Sequence, residues 1–264
     1  ETEVSKSVFL DDIQNKSLLN SMITQYEIDY IPIKELSNIV GYEAYNGDYI
    51  YVTEETNKCH VIIKNEEVIQ FKANSNEATK IKIGENVAYA TLTLNNPIIT
   101  LNNDLYISLK DIKNALYLYT DISNPNNIQI YSLDNLYDIY NSYVIGIGYK
   151  EIVNNYTNQK AILNDVLICR NSKDKFGAIN SNGEVIIESK YDDMKYVEET
   201  GDFIVTYNGQ KGIIHNQQTK VNISYDDIEY INYANLYAVT SNKKIGFFNT
   251  DGTKIVEFVY DGIG

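Results

Sequence analysis

Tryptophan is absent from the 264 residues, and histidine and cysteine occur only twice each. His60 follows Cys59, and adjacent residues on a strand point to opposite faces, so these two would not share a metal or a proton. His215 has no cysteine or second histidine nearby. Cys59 and Cys169 lie in apolar, strand-like contexts, which favours buried thiols over a disulfide between them. We therefore predict no catalytic residue, no metal site and no cofactor.

Positive charge is also scarce. The formal net charge is −8 up to residue 133 and −6 after it, which together give −14. Neither half is basic, which disfavours binding to nucleic acid or to an anionic membrane surface. No apolar run approaches the roughly 18 residues of a membrane span, so we expect no transmembrane segment.

Acidic pairs are common, and glycosidases need two carboxylates. Three of the five pairs fall in turn-like or linker positions: Asp11-Asp12, Glu54-Glu55 and Glu66-Glu67. The other two, Asp192-Asp193 and Asp226-Asp227, recur with the repeat described below. We therefore interpret all five pairs as solvated and structural. The chain begins with glutamate and ends inside a repeat. We therefore expect a removed signal peptide or lipoprotein leader, a longer natural protein and an extracytoplasmic location.

One duplication lies in the N-terminal half, where residues 30–40 align with residues 106–116 at an offset of 76. Apolar residues at i, i+3 and i+7 predict a short amphipathic helix in each segment. Pro32 suits the first helical turn, Ser108 an N-cap and Gly41 a C-terminal position.

Runs rich in β-branched and aromatic residues surround these helices and are predicted to be strands: 49–53, 60–63, 68–71, 87–94 and 128–131. Asn-Gly at 46–47 and residues 65–67 are predicted turns. Residues 26–133 are thus expected to form an α+β domain of two short helices and an antiparallel sheet. Residues 1–25 are expected to be a polar segment or linker with a short helix near Leu18 and Met22.

The two helix-entry motifs, with residues 97–99 (Pro-Ile-Ile), resemble the copper amine oxidase N-terminal-like domain of secreted proteins from Gram-positive bacteria. The resemblance covers about residues 26–133 and implies a non-catalytic domain without a metal. A copper amine oxidase site needs three imidazoles, and this chain has only His60 and His215, so the ligand count excludes copper catalysis.

A second duplication lies in the C-terminal half, where Gly177, Gly212 and Gly246 are 35 and 34 residues apart. Each begins a similar segment that ends in a Tyr-Asp pair, whose tyrosines are Tyr191, Tyr225 and Tyr260. A fixed period of this size predicts a repeat architecture. We expect an all-β array of hairpins, stacked as a solenoid or an open propeller-like arc, over about residues 134–264. The repeats are clear from about residue 167.

Whether residues 134–174 hold a further, worn repeat is left open by the sequence. Residues 149–152 resemble 191–194, and residues 167–170 resemble 203–206. The array resembles WG repeats, although Phe176, Lys211 and Ile245 replace the family's tryptophan.

The recurring residues have structural explanations. Glycine within a strand indicates a bulge or a close approach by the next unit. The tyrosines are expected to lay their rings in the core between repeats and keep their hydroxyls in solvent. Asn182-Gly183 and Asp251-Gly252 predict two-residue hairpin turns.

Two functions fit these features. The first is a non-catalytic cell-surface or envelope protein that binds a protein or wall component through its repeat surface. The alternative is a targeting or regulatory part of a longer secreted enzyme, such as a cell-wall hydrolase or protease. The chain has 24 tyrosines, but an AT-rich genome also encodes many Tyr, Asn, Ile and Lys residues, so this richness does not by itself indicate a glycan surface. No ligand-binding residue is predicted.

Overall fold

The structure, a computed structural model, describes residues 6–51 and 57–262. The chain forms two compact units, Glu1–Asn135 (the N-terminal unit) and Leu136–Gly264 (the C-terminal unit). Strands predominate in both. Within the described ranges, none of the helices has the length and apolar character needed to cross a membrane.

The N-terminal unit contains three short helices and thirteen strands among its described residues. The helices are α1 (Lys16–Ser21), α2 (Ile33–Ile39) and α3 (Ile112–Leu116). The strands are β1 (Ser7–Leu10), β2 (Ile13–Gln14), β3 (Ile23–Gln25), β4 (Ile28–Pro32), β5 (Glu43–Asn46), β6 (Lys58–Ile63), β7 (Glu67–Lys72), β8 (Glu77–Lys82), β9 (Ala88–Thr93), β10 (Ile99–Leu101), β11 (Asp104–Ser108), β12 (Tyr119–Asp121) and β13 (Asn127–Tyr131).

The N-terminal duplication forms a local two-fold at the centre of one sheet. That sheet has the order β10-β11-β4-β3, and its two central strands run antiparallel. Ile31 lies opposite Ile107, its own counterpart at the offset of 76, and Tyr30 lies opposite Ser108. Each copy of the motif therefore supplies a hairpin and the helix that follows it.

The predicted C-terminal glycine of α2 is found in the structure, whereas the predicted N-cap of α3 is not. After α2, Gly41 takes a φ of +82°, and the N–H of Tyr42 donates to the carbonyl of Ser37 at 2.8 Å, as in a Schellman C-cap. In the second copy the predicted N-cap is wrong. Ser108 is the last residue of β11, and its hydroxyl donates to Asp111 at 2.6 Å, so α3 begins only at Ile112.

Residues 1–25 were expected to be a linker, but the described part of this segment belongs to the N-terminal unit. β1 pairs in parallel with β13, and Val8 is fully buried. The predicted strand at 49–53 also differs: residues 49–51 form a turn because the carboxylate of Asp48 accepts the N–H groups of Ile50 and Tyr51, and the rest lies outside the described residues. β2 and β12 complete a four-stranded sheet with β1 and β13, and β5 to β9 form a five-stranded antiparallel sheet in chain order.

Among its described residues, the C-terminal unit is built mainly from twelve strands. It also contains most of α4 (Leu133–Gly146), together with α5 (Tyr156–Ile162) and a short 3₁₀ helix (Asn232–Ala234). The strands are β14 (Glu151–Ile152), β15 (Leu167–Arg170), β16 (Phe176–Ile179), β17 (Val185–Tyr191), β18 (Asp193–Val197), β19 (Asp202–Tyr207), β20 (Gln210–His215), β21 (Gln218–Tyr225), β22 (Asp227–Ile231), β23 (Leu236–Ser241), β24 (Lys244–Asn249) and β25 (Lys254–Tyr260).

The expectation of an all-β array from residue 134 needs correction, because α4 and α5 precede the clear repeats. α4 packs at the start of the array, where Asn141 accepts the N–H of Ile152 at 2.8 Å. α5 lies between β14 and β15, where the later repeats have a short loop.

The strands form three consecutive four-stranded antiparallel sheets: the first sheet (β14–β17), the second sheet (β18–β21) and the third sheet (β22–β25). Ile152 lies opposite Cys169 just as Met194 lies opposite Val205 in the second sheet. Because these pairs occupy equivalent positions, residues 149–170 are the first half of a worn repeat.

Hairpin loops explain the change of period from 35 to 34. In the second sheet the loop between β20 and β21 is one residue shorter than the corresponding loops of the first and third sheets. Its residues Asn216 and Gln217 both have positive φ, as in a two-residue turn. The loops at Gly183 and Gly252 were predicted to be of this type. They instead have three residues, and only the glycine has positive φ, at +82° and +90°.

Candidate binding surface of the C-terminal unit

The three repeat glycines lie opposite irregularities in the neighbouring strand. A register shift separates the pairs on either side of each glycine. A Cβ on Gly212 would lie 2.8 Å from the backbone of Ile223, and one on Gly177 would lie 2.7 Å from the nitrogen of Ser189. Of the two predicted explanations the bulge therefore fits, because the close approach comes from the outer strand of the same sheet and not from the next unit.

The repeat tyrosines differ according to what covers them. Tyr191 is 5% exposed and packs in the cluster between the first and second sheets. Tyr225 is half-buried, with its ring 5.7 Å from those of Phe248 and Phe258 on the third sheet. Tyr260 is 49% exposed. The predicted place in a core between repeats thus describes Tyr191 and Tyr225 but not Tyr260.

The aspartate after the tyrosine ties one sheet to the next. Asp192 accepts the N–H of Asn208 at 2.7 Å and is paired with Lys175, and Asp226 accepts the N–H of Asn242 at 2.7 Å. Lys175, followed by the Asn208 N–H, holds the pKa of the Asp192 carboxyl below its ordinary value. Each aspartate fixes the junction between two sheets to a hairpin of the following sheet.

A buried polar cluster joins the second and third sheets. Asp202 is fully buried and lies 2.8 Å from Nδ1 of His215 and 2.6 Å from Nζ of Lys220. It also accepts a hydrogen bond from Tyr237, and Lys220 donates to the carbonyl of Thr250 at 2.8 Å. Burial, together with the hydrogen bond to Asp202, raises the pKa of the Tyr237 hydroxyl.

Sequence reasoning missed the partner of His215, because Asp202 is 13 residues away and meets it only across the pairing of β19 with β20. Asp202 and His215 are arranged like the aspartate and histidine of a Ser-His-Asp triad. No described hydroxyl or thiol hydrogen-bonds to the other ring nitrogen of His215. The arrangement therefore fits a structural junction, in which a buried carboxylate is neutralised by a lysine and satisfied by three donors.

A groove of about 160 Å³ opens at the junction of the first and second sheets. Its polar lining comes from Glu188, Lys190, Tyr191 and Gln217. The Lys190 ammonium lies 5.6 Å from the centre of the Tyr191 ring, and the Gln217 amide donates to the carbonyl of Val185. At the next junction Lys220 reaches across to Thr250 instead, so the two junctions offer different surfaces.

The histidines and cysteines do not line this groove. His60 is in the N-terminal unit, with its ring 5.5 Å from Tyr45 and 5.4 Å from Tyr49. Cys59 and Cys169 are free and buried, as predicted, and burial raises the pKa of each thiol to about 12. Of the six repeat residues, only Tyr191 lines the groove.

Stacked four-stranded sheets define the C-terminal unit as a β-repeat structure. The family model of the WG containing repeat matches residues 176–209 and 245–264, so these two segments are similar to repeats of that family. The first match spans β16 to β19, half of the first sheet and half of the second, so one sequence repeat bridges two sheets. No curated protein matches the chain.

Proposed function

We propose that the chain is a non-catalytic, extracytoplasmic protein of the cell surface or envelope, which binds a protein or wall component on its C-terminal unit. We further propose that it derives from a secreted protein of a Gram-positive bacterium and that residues 26–133 are a copper amine oxidase N-terminal-like domain. The observation that carries the binding role is the groove beside Tyr191, where charged, amide and aromatic groups converge at a junction between two repeats.

The outer strands support recognition through side chains. β17, β21 and β25 are the last strands of their sheets, and Glu188, Asn222 and Glu257 occupy equivalent exposed positions on them. Each of these strands contains a register shift. Bulged edges resist the addition of a further strand, so a partner would contact the side chains and not extend the sheet.

The alternative function, a targeting or regulatory part of a longer secreted enzyme, uses the same surface. It differs in requiring a catalytic domain elsewhere in the full-length protein. The complete reading frame separates the two functions.

The binding role is tested by affinity capture from the envelope fraction of the producing cell. The immobilised chain is compared with a groove variant, Glu188→Ala/Lys190→Ala, and with a control, Lys195→Ala/Glu229→Ala. Both double variants remove one exposed charge of each sign. A component retained by the parent and the control but lost by the groove variant supports the proposal. Equal retention by all three chains would show that the groove is not the binding surface.

A further inference from the structure

A larger groove, of about 460 Å³, lies in the N-terminal unit where α1, the start of α2 and the β10–β11 hairpin meet. Its polar lining comes from Asn20, Ser21, Lys34, Glu35, Asp104 and Tyr106. The volume is within the range typical of small-molecule sites. All residues that line the groove belong to the N-terminal unit.

Tyr106 supplies the first indication of a ligand. Its side chain is only 9% exposed, and its hydroxyl has no hydrogen-bond partner among the described residues. Burial raises the pKa of this hydroxyl, and the charges of Asp104 and then Glu35 raise it further. The Tyr106 side chain lines the groove, so its hydroxyl is a polar group open to a ligand beside two carboxylates.

The charged side chains of the groove are also largely unused. Neither Asp104 nor Lys34 forms an ion pair or a side-chain hydrogen bond with any residue in the described part of the chain. Glu35 accepts one hydrogen bond, from the Ser17 hydroxyl at 2.6 Å. Two carboxylates and one ammonium leave the groove with a net negative charge, which favours a cationic ligand.

In the second copy of the N-terminal duplication, hydrogen-bond donors of the protein itself satisfy the carboxylate that corresponds to Glu35. Asp111 is the counterpart of Glu35 at the offset of 76, and it is buried. It accepts hydrogen bonds from the backbone and side-chain nitrogens of Asn95, at 2.7 and 2.8 Å, and from the Ser108 hydroxyl at 2.6 Å. In the first copy Glu35 accepts only the Ser17 hydroxyl among the described residues, and it is partly exposed, so its remaining acceptor positions are open to a ligand.

We propose that this groove binds an amino sugar or a short amino-sugar oligosaccharide. Its ammonium group would lie between Asp104 and Glu35, and its hydroxyls would bond to Asn20 and Lys34. The apolar lining of Ile23, Pro32 and Leu101 offers a surface for the carbon-bound hydrogens of the sugar ring. An amino sugar combines the positive charge with the several O–H and N–H donors that the comparison with Asp111 calls for.

The test uses isothermal titration calorimetry on the full chain with three probes: fully de-N-acetylated chitotetraose, N-acetylated chitotetraose and a lysine tripeptide. We expect saturable binding of the first and binding of the other two weaker by about tenfold or more, because a charge-assisted hydrogen bond is lost or the hydroxyls are absent. Asp104→Asn and Glu35→Gln should each weaken binding of the first probe by about tenfold.

Glu27→Gln is the matched control, since Glu27 lines a smaller groove of about 150 Å³ near Lys110, the counterpart of Lys34. It should leave binding unchanged, and circular dichroism should show that all three variants are folded. Should one carboxylate variant misfold, the other decides the result, with Lys34→Gln as a further variant of the same groove. The proposal is overturned if the de-N-acetylated probe does not bind below about 10 mM, if the carboxylate variants bind it as well as the parent does, or if the tripeptide binds equally tightly.

Discussion

Tyr191 and Tyr260 occupy equivalent positions in the first and third sheets, yet Tyr191 is 5% exposed and Tyr260 is 49% exposed. A following sheet covers Tyr191, whereas no described strand covers the outer face of the third sheet. α4 lies beside the first sheet, where Asn141 accepts the N–H of Ile152. The comparison shows that a repeated residue contributes to stability according to what packs on it, and not simply because it recurs.

The junctions themselves differ most at Asp202. Asp202 occupies the position in the second sheet that Val166 occupies in the first sheet. Asp202→Ala would leave Lys220 without its buried partner at the junction of the second and third sheets. We expect a loss of about 3–5 kcal/mol in the free energy of unfolding. Urea denaturation followed by circular dichroism measures it, and a loss below about 1 kcal/mol would mean that the cluster does not hold the two sheets together.

Truncating the two tyrosines tests the comparison itself. Tyr191→Ala should lower the free energy of unfolding by about 3 kcal/mol, because a large buried ring is removed. Tyr260→Ala should cost less than about 1 kcal/mol, as expected for an exposed side chain. Both values come from urea denaturation of the full chain. Equal losses of unfolding free energy for the two variants would show that packing by the following sheet does not determine how much each tyrosine stabilises the fold.

The repeat glycines test whether the units are equivalent. Gly212→Val should cost about 2 kcal/mol or more, because the new side chain would meet the backbone of Ile223. Gly146→Ala is the control, since a Cβ there has open space around it. Gly209 is unsuitable as a control because its φ is +78°. A melting temperature for Gly212→Val within about 2 °C of the parent would contradict the alignment of the three repeats.

The smallest effect concerns the charge of Asp192. Its pKa is lower in the folded protein, so its ionised form stabilises the fold above the unfolded pKa, and this contribution is lost as the pH falls through the folded pKa. Asp192→Asn keeps an acceptor for the Asn208 N–H but removes the charge. Thermal unfolding from pH 7 to pH 2 should show the variant less stable at neutral pH, with the difference narrowing below about pH 4. A difference independent of pH would assign no role to the charge.

Patterns that are local in sequence predicted much of the fold. The 34- and 35-residue spacing indicated the repeats, and the helical periodicity after Pro32 indicated α2. Features that depend on distant pairing were not visible. β1 pairs with β13 across more than a hundred residues, and no composition signal marks β1 as its partner.

The candidate sites were not predictable for the same reason. The groove beside Tyr191 combines residues from two sheets, and the Asp202 cluster contains residues from four different strands or loops. Of the six glycines and tyrosines that define the repeats, only Tyr191 belongs to either site. Repeats identify the residues that build every sheet, whereas the residues that distinguish one junction from another occur once.

Native-state hydrogen exchange of the parent and Gly212→Val, read by mass spectrometry, tests most directly whether the three sheets stabilise one another in series. We expect faster exchange in the variant not only in β18–β21 but also in β15–β17 and β22–β24, because each sheet packs on its neighbour. Exchange in β6 and β7 of the N-terminal unit should stay unchanged. A change confined to β20 and β21 would contradict a mutually supporting array of repeats.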